Sequence, residues 1–207
     1  MVSTAPPADS GGERAKQERR RQILAAAKAV FAEAGYHGAS IHAIIERAQI
    51  ARGTFYLYFE SKAAVFDSIL DQALTDLRAR IRRIDVETAN APPPQVQLRE
   101  QVVATLEYVV KDRALATMLL SAGNTPDVEA AERIEQFYGE MRDLLRRALE
   151  SGLEIGLLRK CHPVLVSSAL LGLIHGVIEQ LVRKDNELTV EQVVDELLLV
   201  ALRGVLK

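Results

Sequence analysis

From residue 15 onward the apolar residues recur at the three-and-four spacing of a helix face and nowhere settle into the alternation of a half-buried strand. That regularity confines the chain to an all-α fold, and its breakers divide it into elements. A first helix is predicted over 15–34, with Ile23, Ala27, Val30, Phe31 and Ala34 on one face and Gly35 where a helix stops. After a short connector, Ser40 reads as an N-cap. Ile41, Ile44, Ile45 and Ala48 then give a second, short helix its apolar face. Gln49 and Ile50 make a tight turn into a third helix over 52–59. Ser61 caps a long fourth helix, expected over 62–85, with Val65, Ile69, Ala73 and Leu77 facing inward.

The run Ala91, Pro92, Pro93, Pro94 must end that helical stretch, because proline lacks an amide donor and clashes with the preceding turn. Beyond it, helices are expected at 95–122, 126–150, 163–184 and 189–206. Thr125 with Pro126, and His162 with Pro163, look like helix starts with proline at the first position. Thr189 and Gln192 fit a capping box, and Gly152 and Gly156 mark a break. The expected architecture is a disordered tail (1–14), a three-helix head (15–62) and a bundle of five or six longer helices (63–207). Helix four serves both parts.

With 48% apolar and 26% charged residues, the composition is that of a soluble globular chain. The lone Cys161 forms no internal disulfide, so a reducing cytoplasm is the expected setting. No signal-like segment opens the chain. The apolar stretch 164–182 has nearly the length of a membrane span, but it contains Ser167, Ser168, His175, Glu179 and Gln180. It reads as a buried helix of a soluble bundle, and no membrane partner is expected. The net charge of −2 averages unlike halves: residues 14–62 hold nine Lys/Arg against four Asp/Glu, while 63–207 hold 17 against 22. A basic head on an acidic body suggests that only the head approaches a polyanion.

Three short helices with a tight turn between the second and third can present the third to a DNA major groove. Phe55 and Phe59 would lock the third helix onto the first two, leaving Arg52, Thr54, Tyr56 and Tyr58 outward, although Tyr58 also fits a core position. The run GTFYLYFESK at 53–62, with Ser40 and Ile41 thirteen residues earlier and AQIA at 48–51 in the turn, closely resembles the TetR family of bacterial transcriptional repressors. The resemblant head covers about residues 19–79. It implies a homodimer on a palindromic operator, released when a small ligand in the larger domain moves helix four. It also implies base-edge contacts from Arg52, Gly53 and Thr54, phosphate contacts from Tyr56, Tyr58 and Lys62, and a further backbone contact from Ser40 and His42. Two positions depart from the family: Gln49 stands where glycine is usual, and Ala51 where a capping Ser or Thr is usual, so another group is expected to satisfy the first amides of helix three. Arg14, Lys16, Arg19, Arg20 and Arg21 read equally as a DNA arm or as a solvated helix start.

In the penultimate helix, Ala169, Gly172 and Gly176 share one face, and each mid-helix glycine costs about 1 kcal/mol relative to alanine. With Val194, Leu197, Leu198 and Ala201 of the last helix they are the expected dimer interface, the alternative being intramolecular core. Tyr108, Met118, Phe137, Tyr138, Met141 and His175 are candidate lining for a largely apolar inducer, with plain core as the bland alternative for each. The four histidines are scattered, so neither a metal nor a cofactor is expected. No catalytic constellation is legible, and the chain is not read as an enzyme. The competing function is a helical sensor or carrier of apolar metabolites whose head binds protein.

Overall fold

The computed structural model describes residues 10–121, 127–183 and 185–205, and every extended element among them is a helix. The elements are α1 (Ser10–Gly38), α2 (Ile41–Ala48), α3 (Arg52–Tyr56), α4 (Lys62–Arg80), α5 (Pro94–Lys111), α6 (Arg113–Ser121), α7 (Val128–Glu154), α8 (Pro163–Val182) and α9 (Val190–Val205). The break predicted at Gly35 is present: its backbone lies at φ 67° and ψ 171°, a region a side chain would disfavour. The chain then turns so that Tyr36 stacks on Phe31 (ring centroids 5.7 Å apart) and meets Phe66 of α4 edge-on at 4.8 Å. This aromatic trio sets how α1 leaves for α2.

Helix α4 ends at Arg80, five residues before the expected end at 85. The reason lies across the chain: Gln101 of α5 accepts from the Arg82 amide, and Gln97 accepts from the Asp85 amide (both 2.9 Å). Gln97 also donates to the carbonyls of Asp85 and Pro92. The amides that would have continued α4 are taken by side chains of α5 instead.

The helix expected over 95–122 is two helices. Asp112, at φ −99° and ψ 76°, interrupts it. Its Oδ1 accepts from the Leu115 amide at 3.0 Å, capping α6, and its Oδ2 pairs with Lys28 of α1. Helix α7 is capped by Asp127, which accepts from the Ala130 amide at 3.1 Å, while the expected start at Thr125 and Pro126 lies outside the described residues. The Thr189–Gln192 capping box forms in both directions, at 2.9 and 3.3 Å. A Cβ on Gly152 would stand 2.8 Å from Leu158, so that glycine permits the turn after α7 to fold back.

One apolar cluster runs without interruption from Ile23, Phe31 and Phe55 through Phe66 and Leu70 of α4 to Leu115, Ile134, Phe137 and Met141. Head and body therefore share a core, with α4 as its spine. Ion pairs Arg133–Asp67 (2.6 Å) and Arg78–Glu140 tie α7 to α4 at its edge.

A second cluster joins α5 to α9 and takes in part of the apolar face expected at the dimer interface. Val194 is fully buried and Leu197 nearly so, both against Leu106 of α5, and Leu198 packs on the same group. Within the protomer Val194 and Leu197 cover α5, Leu198 and Ala201 are half-buried, and Leu199 and Val200 of the same helix are exposed. The expectation that 164–182 is a buried helix fails: within the protomer α8 buries only Ser167 and Leu181. It is the one helix among the described residues long and apolar enough to cross a membrane. Its outward stripe contains Leu165, Ala169, Gly172, Leu173 and Gly176.

Candidate nucleic-acid interface

Helix α2 starts where the sequence places it, with the Ser40 hydroxyl accepting from the Ala43 amide at 3.1 Å. Ile44 and Ala48 are buried and hold it to α1. Gln22 of α1 donates to the Ala48 carbonyl at 2.7 Å, fastening the end of α2. The turn then passes through Gln49 at φ 51° and ψ 47°, the left-handed conformation. That explains why glycine suits this position: a residue with a Cβ is disfavoured there by roughly 1 kcal/mol or more. Gln49 adopts it nonetheless, with its own amide donating to Glu46 O at 3.1 Å and that of Ile50 to Ile45 O at 3.3 Å.

Helix α3 is shorter than expected, with only Arg52–Tyr56 helical before irregular turns lead to Ser61. Ala51 supplies no side-chain cap, and its carbonyl merely accepts from the amides of Thr54 and Phe55. Among the described residues no side chain supplies the substitute cap expected from another group; Ala51, Arg52 and Gly53 are exposed, which opens the first amides to solvent. Phe55 is fully buried and Phe59 nearly so, and the Arg20 guanidinium lies over the Phe59 ring at 5.2 Å. These two rings are the anchors the sequence pointed to.

Opposite the anchors lies an outward face. Arg52 is exposed, with its guanidinium 5.9 Å from the centre of the half-exposed Tyr56 ring. Thr54 is half-buried. Gly53 faces open space: a Cβ built there would meet nothing within 4 Å, so packing inside the protomer does not require glycine. Leu57, absent from the sequence-derived set, is 79% exposed and the most prominent apolar side chain of the head. The signal was available, because at 100° per residue position 57 lies about opposite both 55 and 59.

Four further residues are placed less simply. Ser40 is exposed but its hydroxyl already caps α2. His42 is exposed, with Nε2 3.4 Å from Glu46. Tyr58 is half-buried and packs against the core. Lys62 turns inward: its ammonium donates to the carbonyls of Tyr36 (2.7 Å) and Ala39 (3.1 Å) and lies 4.2 Å above the Tyr36 ring. Lys62 therefore secures the α1–α2 connector, and one of its three donors is left for any outside anion.

In the body, the six candidate ligand-lining residues do not share one environment. Met118, Phe137 and Met141 are buried core. Tyr108 donates to Asp76 at 3.0 Å, with Arg80 over its ring at 4.2 Å, so it is engaged with α4. Burial and the Asp76 carboxylate push its phenol well above the usual value. Tyr138 donates to the Leu119 carbonyl at 3.1 Å and stands 3.4 Å from His175 Nδ1, joining α6, α7 and α8; burial pushes its phenol up to about 12. At neutral pH the hydroxyl is therefore a donor, never a phenolate.

Comparison with known proteins bears on both parts. Residues 23–69 match the model of bacterial regulatory proteins, tetR family, and residues 91–205 match that of a tetracyclin repressor-like C-terminal domain. The transcriptional repressor KstR2 of Rhodococcus jostii is 28% identical over 204 residues, covering 97% of each chain. The chain spans 39% and 63% of the lengths of two other curated relatives, a Bacillus subtilis regulator and a Mycobacterium tuberculosis repressor. Among solved structures, the fatty acid degradation regulator FadR of Bacillus halodurans is 26% identical with a TM-score of 0.72, over 89% of this chain and 94% of that one. FadR of Bacillus subtilis, solved with stearoyl-CoA, shares the fold (TM-score 0.73, 21% identity, 89% and 98% covered). Two domain models in the right order, the second matching more than half of the residues, settle the assignment: the chain belongs to the TetR family of bacterial regulatory proteins.

Proposed function

We propose that the chain is a ligand-responsive transcriptional repressor that binds a palindromic operator as a homodimer and leaves it when a small molecule enters the body. The observation that carries this reading is the outward face of α3, built on two buried rings yet presenting a cation, a hydroxyl, a half-exposed tyrosine and a bare glycine that the fold itself does not need. Arg52, Thr54 and Tyr56 approach base edges and adjoining phosphates, and Gly53 lets the backbone come close. Leu57 suits a thymine methyl. Ser40, His42, the hydroxyl of Tyr58 and the remaining donor of Lys62 serve the phosphate backbone.

A second copy covers the outward stripe of α8, where Ala169, Gly172 and Gly176 permit close helix approach beside Leu165 and Leu173. Two heads then sit about 34–36 Å apart, one turn of B-DNA. Glu179 and Gln180, exposed at the end of that stripe, favour a protein partner over lipid. The Tyr138–His175 pair, with Phe137 against the Tyr138 ring, suits a ligand with an apolar body and one polar group, and kinship to a fatty acid degradation regulator favours an acyl compound. The reducing cytoplasm fits such a protein and its free Cys161.

The test is selection of bound duplexes from a random pool with the full chain. A two-fold symmetric consensus with half-sites one helical turn apart is expected; recovery of no consensus at low salt overturns the reading. Long-chain acyl-CoA is expected to raise the melting temperature and to release the selected duplex.

A further inference from the structure

Ahead of its first buried residue, Ile23, helix α1 runs a further 13 residues, 10–22, or about 20 Å at the usual helical rise. Residues 11–21 are all exposed. This stretch adds nothing to the core, and the match to the family begins only at residue 23. It nonetheless carries five cations, Arg14, Lys16, Arg19, Arg20 and Arg21, against Glu13 and Glu18.

The cations are not spread evenly. Lys16, Arg20, Ile23, Ala27 and Val30 follow at spacings of four, three, four and three, so they lie on one stripe of the helix. From Ile23 onward that stripe faces the core; before it, the same stripe turns basic, with Arg19 beside it. Arg14 and Arg21 lie on the opposite side, Arg21 within 3.3 Å of Glu18. The root of the stripe is fastened to the helix-turn-helix unit. Arg20 lies over Phe59 and donates to Ser68 of α4 at 3.1 Å, and Gln22 holds the end of α2. Lys16 therefore stands about one turn farther out than Arg20, and Arg19 next to Arg20, on the side of α1 that meets the end of α2, Phe59 and α4. Lys16 makes no hydrogen bond or ion pair with a described residue, and Arg19 only bonds Gln22 on its own helix.

We propose that Lys16, Arg19 and Arg20 form a second DNA contact, a basic extension of α1 lying along the backbone phosphates that flank the groove entered by α3. The inference rests on the DNA-binding reading above. Its chemistry is phosphate neutralisation without base readout, so it adds affinity and salt dependence and leaves sequence preference unchanged.

Two double variants of the full chain test it on the selected duplex by fluorescence anisotropy across a salt series. Lys16→Gln with Arg19→Gln removes two cations from the proposed contact face; Arg14→Gln with Arg21→Gln removes the same charge from the opposite face. All four positions are exposed, and matching melting temperatures establish that each variant folds. The first variant is expected to lower the slope of log K against log salt by about 2 per protomer and to weaken binding about tenfold or more near 0.1 M salt. The second is expected to change the slope by well under half as much, with the consensus unchanged in both. Equal losses from the two variants, or no loss from the first while the parent chain binds, overturn the contact but leave the α3 reading intact. A parent chain that binds no duplex overturns both.

Discussion

Helices α3 and α8 each present a face that the protomer's own fold leaves uncovered, and the two faces differ in polarity. On α3 the outward groups are a guanidinium, a hydroxyl, a tyrosine and one leucine around Gly53; on α8 they are alanine, leucines and a glycine pair. In both, the glycines face open space, so neither face owes its shape to packing inside the chain. A helix glycine that relieves no internal crowding suits a surface that something else approaches closely, and for Gly172 and Gly176, in a helix interior, it also costs stability. On the function proposed above, the polarity around each glycine suits a hydrogen-bonding polyanion at α3 and a second apolar helix at α8.

The largest break in this comparison is expected at α8. Gly172→Leu with Gly176→Leu fills space that is empty in the protomer, so the chain still folds, but close approach of a second copy is blocked. Light scattering should report a monomer, and operator affinity should fall by about 10² or more as the two heads cease to bind as one unit. A dimer of unchanged stability would place the interface elsewhere. Next in size, Tyr56→Ala with Leu57→Ala removes outward side chains of α3. It should cost about 1–3 kcal/mol in operator binding, with thermal stability within a degree or two of the parent.

Gly53→Ala sharpens the contrast because its two effects oppose each other. In the first turn of so short a helix, alanine is expected to raise folding stability by at most about 0.5 kcal/mol, while the added methyl is expected to weaken operator binding. A variant both more stable and equally tight would show that DNA does not approach Gly53. The smallest expected effect is inside the turn: Gln49→Gly relieves a left-handed residue and should raise stability by about 0.5 kcal/mol, read as a small rise in urea midpoint at constant slope.

Much of the head was legible in the sequence because its determinants are local. Gly35 and Ser40 act within a turn of their own position, and the spacing of Phe55 and Phe59 marks them as the buried side of their segment, which the structure bears out. Lys62 was harder. A cation after a serine cap reads as surface, yet the connector carbonyls of Tyr36 and Ala39, 26 and 23 residues earlier, come within reach only when α1 and α4 pack. Leu57 was overlooked because exposed leucine is the commonest exception to burial and carries no polar flag.

Taken alone, the sequence determined what its periodicity, caps and breakers encode: an all-α chain, a helix-turn-helix unit with its anchors, a basic head on an acidic body, and the capping box before α9. Only the tertiary structure decided which of several equivalent apolar faces meets which. Asp112 breaks a continuous helical pattern because Lys28, 84 residues away, pairs with it and its other oxygen caps α6. Val194 and Leu197 look the same in sequence whether they meet a second copy or α5, and α5 arrives first. The hydrophobic effect sets how much apolar surface must be covered but is indifferent to the partner. Which partner covers it is settled by segments that lie far apart in the chain, and so most of the apolar surface of α8 is left uncovered within the protomer.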